Sequence, residues 1–416
     1  MTKKIEFSSG LRLVIEQMPY LRSVTTGVWI KAGSVWEEEP LAGISHFLEH
    51  MLFKGTTSRS AKQIAETMES VGGIMNAFTS REHTCFYIRC IDEDFELSMD
   101  LLADMHLNSV FAEDEFTREK NVVTEEINSY EDTPDDLVTE LMPATMWPRH
   151  SYGRAVIGSR QTVEAMRRED LIGYWQQMYQ PRNTVIAIAG NIDEKRAVAA
   201  VEKFFAASIG DGIAGEPSAP EAVSGTVYVN KDIEQTHVCL GFPSIASKDD
   251  DYYTAAVLSC ALGGGVSSRL FQEVREKRGL AYNVYSYNAS YLKSGNFAAY
   301  ASTRPKNIDQ LMQVITAEFS DVAARGLSEE ELQRSKQQLK GALVFGMESS
   351  SSVMNKIGKR ELMLDELYSW EQSLDKLMHV SQQDVLRLAA KLFVPDKLVI
   401  ATVGPQENQF DIDKLF

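Results

Sequence analysis

The sequence has few cysteines and no long apolar run. Its four cysteines form no CxxC pair, so we expect free thiols and not a disulfide framework. No stretch approaches the roughly 20 apolar residues that are needed to span a bilayer, so membrane insertion is not expected. These cysteines are Cys85, Cys90, Cys239 and Cys260.

Positive charge is also in deficit, because 42 Lys and Arg residues face 59 Asp and Glu residues, for a net charge of -17. Nucleic acid and anionic membranes would both be repelled by such a surface. We therefore expect neither as a partner. Cationic ligands are compatible with this charge, although solubility alone also explains it.

The N-terminal stretch "MTKKIEFSSGLRLVIEQ" (1–17) alternates apolar and polar residues as a strand does. It has neither the apolar core nor the small-residue cleavage site of a secretory signal. We therefore expect a cytoplasmic protein.

The chain contains two copies of one unit. "YQPRNTVIAIAGN" (179–191) and "FVPDKLVIATVGP" (393–405) share a proline, an apolar run and a glycine at an offset of 214 residues. The same offset superimposes "ISHFLEH" (44–50) on "LSCALGG" (258–264). The second copy thus keeps the packing residues but lacks the two histidines and the glutamate, which favours a functional role for these three over a structural one.

We predict an N-terminal half over 1–210, a linker over 211–225 rich in Gly, Ala, Pro and Ser, and a homologous half over 226–416. Alternating strand patterns and longer helical patterns predict an α+β fold in which each half is a mainly antiparallel sheet backed by helices. In the first half the predicted helices are 41–54, 61–71, 94–110, 113–131 and 164–179. The predicted strands there are 11–16, 23–32, 74–79, 83–91 and 184–190.

The helix predicted near Leu41 carries an H-x-x-E-H motif. His46 and His50 lie one turn apart on one face and could bind a single ion, and Glu49 lies on the same stripe. H-x-x-E-H is the inverted form of the common zinc peptidase motif. Polar residues on a solvated helix face are the alternative.

The sequence "FTREKNVVTEEINSYED" (116–132) offers a third ligand. Its buried face is predicted from Val122, Val123 and Ile127, and Glu119 and Glu126 fall on that same face. Buried carboxylates are costly unless they are paired or bound to a metal, so a metal explains both, and a buried salt bridge is the alternative. Their spacing of two turns would let one bind the ion while the other supports a ligand.

Two histidines and one glutamate with an open fourth position are typical of catalytic zinc sites. Bound zinc would acidify a water molecule and polarise a carbonyl. Glu49 would take the proton and pass it to the leaving amine. The sequence therefore predicts peptide-bond hydrolysis, with zinc as the cofactor, one ion per chain.

At these residues the chain resembles the inverzincin metallopeptidases typified by pitrilysin, insulin-degrading enzyme and the mitochondrial processing peptidase, and most closely their short processing-peptidase branch. The matching features cover essentially the whole chain and include the motif at 46–50, Glu126, Glu119, "GGIMNAFTSREHTCFY" (72–87) and "GGGVSSRLFQEVREKRGLAYNVYS" (263–286). No catalytic position departs from the family pattern, which implies an active subunit.

The resemblance implies roles for individual residues. His46, His50 and Glu126 would bind zinc, Glu49 would be the general base and Glu119 would support a ligand. Arg275 and Tyr282 would hold the substrate carbonyl or the developing oxyanion. The segment containing Asn76, Ala77 and Phe78 resembles the edge strand to which a peptide substrate adds as an extra strand.

The resemblance also implies that the two halves face each other across a cavity, that the linker gates entry, and that two chains pair as a homodimer. Two alternatives to an autonomous enzyme remain. One is a peptide-binding or assembly protein without turnover, and the other is a subunit that is active only beside a different partner chain.

Overall fold

The computed structural model of the protein describes residues 2–206, 210, 212, 215–406, 410 and 415. Residues 211, 213 and 214 of the predicted linker lie outside the described residues. The strands occur in two sheets. In chain order they are β1 (Lys3–Glu6), β2 (Arg12–Gln17), β3 (Ser23–Ile30), β4 (Ile74–Thr79), β5 (Thr84–Ile91), β6 (Thr184–Gly190), β7 (Gly225–Asn230), β8 (Thr236–Ser244), β9 (Ala281–Ser290), β10 (Gly295–Thr303) and β11 (Val399–Gly404).

Helices follow or separate these strands in both halves. In the first half they are α1 (Ile44–Leu52), α2 (Ala61–Glu69), α3 (Phe95–Asn108), α4 (Glu113–Asp132), α5 (Pro134–Met146), α6 (Arg160–Ala165), α7 (Arg168–Met178) and α8 (Glu194–Phe204). In the second half they are α9 (Tyr252–Gly263), α10 (Ile308–Arg325), α11 (Glu329–Gly346), α12 (Ser350–Leu364), α13 (Trp370–His379) and α14 (Gln382–Leu392).

The two sheets share one topology. The first has the strand order β1-β2-β6-β3-β5-β4 and the second β7-β11-β8-β10-β9. Each contains one parallel pair, β2 with β6 and β7 with β11, and its other neighbours run antiparallel. With β1 set aside, the order of one sheet repeats in the other, and β2, β3 and β6 precede β7, β8 and β11 by nearly the offset found in the sequence. The predicted fold of two homologous halves, each a mainly antiparallel sheet backed by helices, is confirmed.

The chain folds into two compact units, and neither is contiguous in sequence. The first comprises Met1–Ile127, Arg154–Glu216 and Val344–Ser369, and the second comprises the rest. Helix α12 of the second half therefore packs on β2, β3 and β6, and α5 of the first half packs on β7, β8 and β11. The units differ from the contiguous halves predicted over 1–210 and 226–416 by this exchange of two equivalent helices.

The central strands β3 and β6 of the first sheet are buried on both faces. Strand β6, "TVIAIAG", is buried throughout, as expected of a central strand rich in β-branched and small residues. One face packs against the core formed with α1 and α3. On the other face α12 approaches closely at Gly358, where a Cβ atom would lie 2.3 Å from Nε1 of Trp29.

Helix α1 begins three residues later than the sequence predicts. The segment Glu39–Leu41 forms a separate 3-10 turn that contains Pro40. Gly43 then adopts a left-handed conformation with φ of 93°, and a Cβ atom there would lie 2.6 Å from the carbonyl oxygen of Ile157. This turn redirects the chain, so the helix starts at Ile44.

Candidate metal centre

Helix α1 packs one face into the core and carries both histidines on the neighbouring face. Its apolar stripe, which includes Phe47, Leu48 and Met51, is fully buried in the first core. The neighbouring stripe carries His46 and His50, whose ring centroids lie 4.6 Å apart. Their side chains are 12% and 22% exposed, so both rings remain accessible on the helix surface.

Helix α4 supplies the carboxylates. Phe116, Val123 and Ile127 anchor it in the core, and Glu119 on the same face is only 2% exposed. The prediction that Val122 belongs to the buried face is wrong, because this residue is 49% exposed. Helical spacing places Val122 about 100° around the axis from Val123, away from the centre of the buried stripe.

His46, His50 and Glu126 form a donor set of the right size for one ion. One ligand atom from each lies within 4.8 Å of the others. Nε2 of His46 lies 3.7 Å from Oε1 of Glu126, and Nε2 of His50 lies 3.4 Å from Oε2. Ligand atoms about 2 Å from a tetrahedral zinc ion lie about 3.4 Å apart. The residues present therefore fit a zinc ion by donor type and by spacing.

Glu119 contacts the ring nitrogen of His50 that does not face Glu126. Nδ1 of His50 lies 2.8 Å from Oε1 of Glu119, and Nζ of Lys54 lies 2.7 Å from Oε2. A proton on Nδ1 leaves Nε2 of His50 as the atom that faces Glu126, the tautomer that a metal ligand requires. Nδ1 of His46 is buried without a hydrogen-bond partner among the described residues.

The charges in this cluster are strongly coupled. Burial and the nearby His50 lower the pKa of His46 to about 4, so His46 is neutral and able to bind a metal at pH 7. Burial lowers the pKa of His50, but hydrogen bonds to Glu119 and Glu126 outweigh this effect and raise it to about 9. The hydrogen bond from His50 in turn lowers the pKa of Glu126.

Glu49 lies beside the donor set without belonging to it. Its Oε2 accepts a hydrogen bond of 2.5 Å from the hydroxyl of Thr79 at the end of β4. Burial raises the pKa of Glu49, and the hydrogen bond from Thr79 opposes this shift. A carboxyl group with a raised pKa next to a metal position is suited to accept and return a proton.

Strand β4 is an edge of the first sheet, since it pairs only with β5 among the described strands. Asn76 on this strand is exposed, and its Oδ1 accepts a hydrogen bond from the N–H of Ala77. Ala77 packs against the core and Phe78 contacts Trp29 on the opposite face, with ring centroids 5.5 Å apart. The strand that contacts Glu49 therefore has an outer edge whose main-chain N–H and C=O groups are free of a neighbouring strand among those described.

Arg275 and Tyr282 lie in the second compact unit, where they contact each other. Arg275 belongs to a short π-helical segment, Phe271–Glu276. Its guanidinium carbon lies 4.1 Å from the ring centroid of Tyr282 and 4.8 Å from that of Phe271, and its Nη1 donates to the carbonyl oxygen of Tyr282. The side chain of Tyr282 is 78% exposed, which leaves its hydroxyl available to a ligand.

Thr79 and Lys54 belong to the site but are not predicted from the sequence. Thr79 carries a weak signal, because alternation places it on the same face of β4 as Met75 and Ala77, which pack against the core beside α1. Lys54 lies beyond the end of α1 and has no pattern of its own. Only the position of α4 brings its ammonium group to Glu119.

Two further observations concern the cysteines and the helices. The four cysteines are free and buried, as predicted. Among the helices of the described residues, none combines the length and the apolar character required to cross a membrane.

Comparison with known proteins gives the family. The model of "Insulinase (Peptidase family M16)" matches residues 12–160, and that of "Peptidase M16 inactive domain" matches residues 165–339. These two models define a two-domain member of an M16-type peptidase family. The "Uncharacterized zinc protease YmxG" of Bacillus subtilis is 40% identical over 408 residues, which cover 98% of this chain and 99% of that protein. The chain belongs to peptidase family M16.

Solved structures agree with this fold. A peptidase M16 inactive domain from Pseudomonas fluorescens gives a TM-score of 0.92 at 22% identity and covers 99% of both chains. A protease from Helicobacter pylori also gives 0.92, at 24% identity, and covers 97% of this chain and 99% of that one.

Proposed function

We propose that the protein is a zinc-dependent endopeptidase that cleaves unfolded peptides or presequence-like segments inside a closed chamber. The observation that carries this proposal is the donor set of His46, His50 and Glu126 with Glu49 beside it. The relatives named zinc proteases support the same reaction. One zinc ion per chain follows from one such cluster within the described residues.

The chain's own residues have distinct parts in this reaction. When bound, zinc acidifies a water molecule and polarises the scissile carbonyl. Glu49 accepts the proton of the attacking water and returns it to the leaving amine. Its hydrogen bond to Thr79 fixes which carboxylate oxygen stays free for this transfer. Arg275 and Tyr282 stabilise the carbonyl oxygen as negative charge develops on it.

Substrate would bind as an added strand along the outer edge of β4, next to Asn76, Ala77 and Phe78. Main-chain pairing supplies affinity with little dependence on side chains, which suits unfolded peptides of varied sequence. The net charge of -17 favours basic peptides. We further propose that the protein is a cytoplasmic homodimer.

Two alternatives differ in what they predict. A non-catalytic peptide-binding or assembly subunit gains weak support from the matched protein and family model described as inactive domains. It would bind peptide without cleaving it. A subunit that requires a different partner chain would be inert alone and would gain activity when that partner is added.

The test is cleavage of an unfolded basic peptide, with zinc content measured in parallel. Wild-type cleavage should stop with a chelator and return with zinc. Glu49→Gln should lose at least about 100-fold in kcat while it retains zinc, and His50→Ala should lose zinc. Glu126→Gln should lose both zinc and activity. The control variant Glu125→Gln, at an exposed neighbouring residue, should keep both.

The outcome that contradicts the endopeptidase proposal is a zinc-loaded wild type that binds the peptide and leaves it intact. Equal activity of Glu49→Gln and wild type would contradict only the proposed role of Glu49 and not the endopeptidase function.

A further inference from the structure

The helix that carries the H-x-x-E-H motif has no local cap. Its N-cap residue is Gly43, and no side chain at that position accepts a hydrogen bond from the first turn. The free N–H groups of a helix start need acceptors when they are buried. Here the acceptor comes from Glu37, six residues earlier in the chain.

The Glu37 carboxylate holds the start of α1 with both oxygens. Oε2 accepts a hydrogen bond of 2.8 Å from the N–H of Gly43, and Oε1 accepts one of 2.8 Å from the N–H of Ser45. We propose that Glu37 is a positioning residue that fixes α1 so that His46 and His50 can share one ion. This inference rests on the proposed zinc peptidase function.

Burial makes this contact unusual. Glu37 is only 5% exposed, and burying an ionised carboxylate is costly unless it is fully paired. Negative charge at a helix N-terminus is favourable because the helix dipole is positive there. Burial raises the pKa of Glu37, and its backbone hydrogen bonds and Arg154 act in the opposite direction.

Neighbouring hydrogen bonds connect the start of α1 and Glu37 to two other segments. The hydroxyl groups of Ser45 and Tyr174 lie 2.7 Å apart, which joins the first turn of α1 to α7. Arg154 donates to the main-chain oxygen of Glu37 at 2.9 Å. Ser45 directly precedes His46. Any rotation of the helix start therefore displaces the first metal ligand.

The helix is short enough for this constraint to reach the whole motif. It spans nine residues, and the motif occupies its middle turns. In so short a helix, a displacement of the first turn is expected to displace His46, Glu49 and His50 together. Both donors of this contact are main-chain N–H groups, so their positions change only if the helix start itself moves.

The chain provides a matched control. Glu37, Glu38 and Glu39 are consecutive, but Glu38 and Glu39 are exposed. Glu37→Gln keeps the shape of the side chain but replaces one acceptor oxygen by a donor NH2 group, which would face one of the two N–H groups. Glu39→Gln makes the same chemical change at a solvent-exposed site.

The experiment measures zinc affinity by competition with a chromophoric chelator, the visible absorption spectrum of the cobalt(II) form, and kcat and KM. Glu37→Gln should bind zinc roughly 10-fold more weakly, at the low end of the range found when a direct hydrogen-bond partner of a metal ligand is removed, because Glu37 acts through the helix start. Its cobalt spectrum should shift, and kcat should fall more than KM rises. Glu39→Gln should match wild type in all three.

A folded Glu37→Gln protein with wild-type zinc affinity and cobalt spectrum would overturn the proposal, even if its thermal stability were lower. If this variant does not fold, Tyr174→Phe is the second test, because it removes one hydroxyl from the same network. Tyr174→Phe should weaken zinc binding in the same direction by a smaller factor, and unchanged affinity would then overturn the proposal.

The two proposals fail in different ways. A wild-type protein that binds zinc but does not cleave peptides contradicts the proposed function and leaves the zinc comparison intact. A wild-type enzyme that cleaves peptides, with Glu37→Gln unchanged in zinc affinity, contradicts only the role of Glu37.

Discussion

At the scale of single residues, the most informative side chains are carboxylates that are buried or that border a buried face. Glu119 and Glu126 are predicted from the sequence because they fall on an apolar helix stripe, and both lie at the donor set. Glu37 has no such pattern. Its burial depends on a turn that only the folded chain reveals.

Glu119→Gln should weaken zinc binding by about 10-fold to 100-fold, because the amide is a poorer acceptor for the proton on Nδ1 of His50 and cannot pair with Lys54 as an anion does. Chelator competition measures this change. Glu115→Gln, on the same helix but off the buried stripe, is the control and should bind zinc as wild type does. Equal affinity of the two variants would contradict the supporting role of Glu119.

His106 should make the protein sensitive to acid. Burial lowers the pKa of His106 to about 4 from an ordinary value of 6.5, so between these pH values the unfolded chain binds a proton that the folded chain does not. The free energy of unfolding should therefore fall as pH drops from 6.5 to 4, by roughly 1 kcal/mol per pH unit from this group.

Urea unfolding at several pH values tests this expectation. His106→Phe keeps an aromatic ring beside Tyr179 and Phe205 and should show a shallower decline than wild type. His379→Phe makes the same substitution at an exposed histidine and serves as the comparison variant. Parallel curves for His106→Phe and wild type would show that His106 does not contribute.

At the scale of helices and strands, alternation and periodicity predict most elements of the first half closely. The predicted strand 74–79 matches β4 at both ends, and 184–190 matches β6. The start of α1 differs from the prediction because the left-handed conformation of Gly43 interrupts the helix, and the spacing of apolar residues does not reveal this conformation. The sequence does not predict α5, which contains Pro143 inside the helix, a residue that normally argues against one.

Two helical glycines should respond in opposite directions to the same change. A Cβ atom at Gly358 in α12 would meet Trp29, whereas one at Gly173 in α7 would meet no atom within 4 Å. Gly358→Ala should lower the free energy of unfolding by roughly 1–3 kcal/mol. Gly173→Ala should raise it by about 0.5–1 kcal/mol, because alanine has the higher helix propensity.

Denaturant unfolding followed by tryptophan fluorescence measures both changes. The pair also controls for helix propensity, since the substitution is identical. A stabilising Gly358→Ala would mean that α12 does not require close approach to β3.

At the scale of the whole molecule, the sequence predicts the duplicated architecture but not the exchange of α5 and α12. The duplication leaves a signal in the repeated strand and glycine positions. The exchange leaves none, because hydrophobic periodicity indicates that a helix has a buried face but not which sheet covers that face. Sequence position and packing partner therefore diverge for these two helices.

A fragment of residues 1–210 should not fold to a native first unit, because it lacks α12 and exposes the face of β2, β3 and β6 that α12 covers. We expect it to bind a hydrophobic dye and to lack a cooperative unfolding transition. Addition of a peptide spanning 344–369 should reduce dye binding, and a scrambled peptide should not. Cooperative unfolding of the fragment alone would contradict this expectation.

The same exchange has a consequence during protein synthesis. Strand β6 ends at Gly190, and α12 begins at Ser350, so about 160 further residues must leave the ribosome before that face can be covered. At roughly 5–20 residues per second the nascent sheet stays open for on the order of ten seconds. A growing chain of this kind has a window in which a ribosome-associated chaperone can bind, and slower translation would lengthen it.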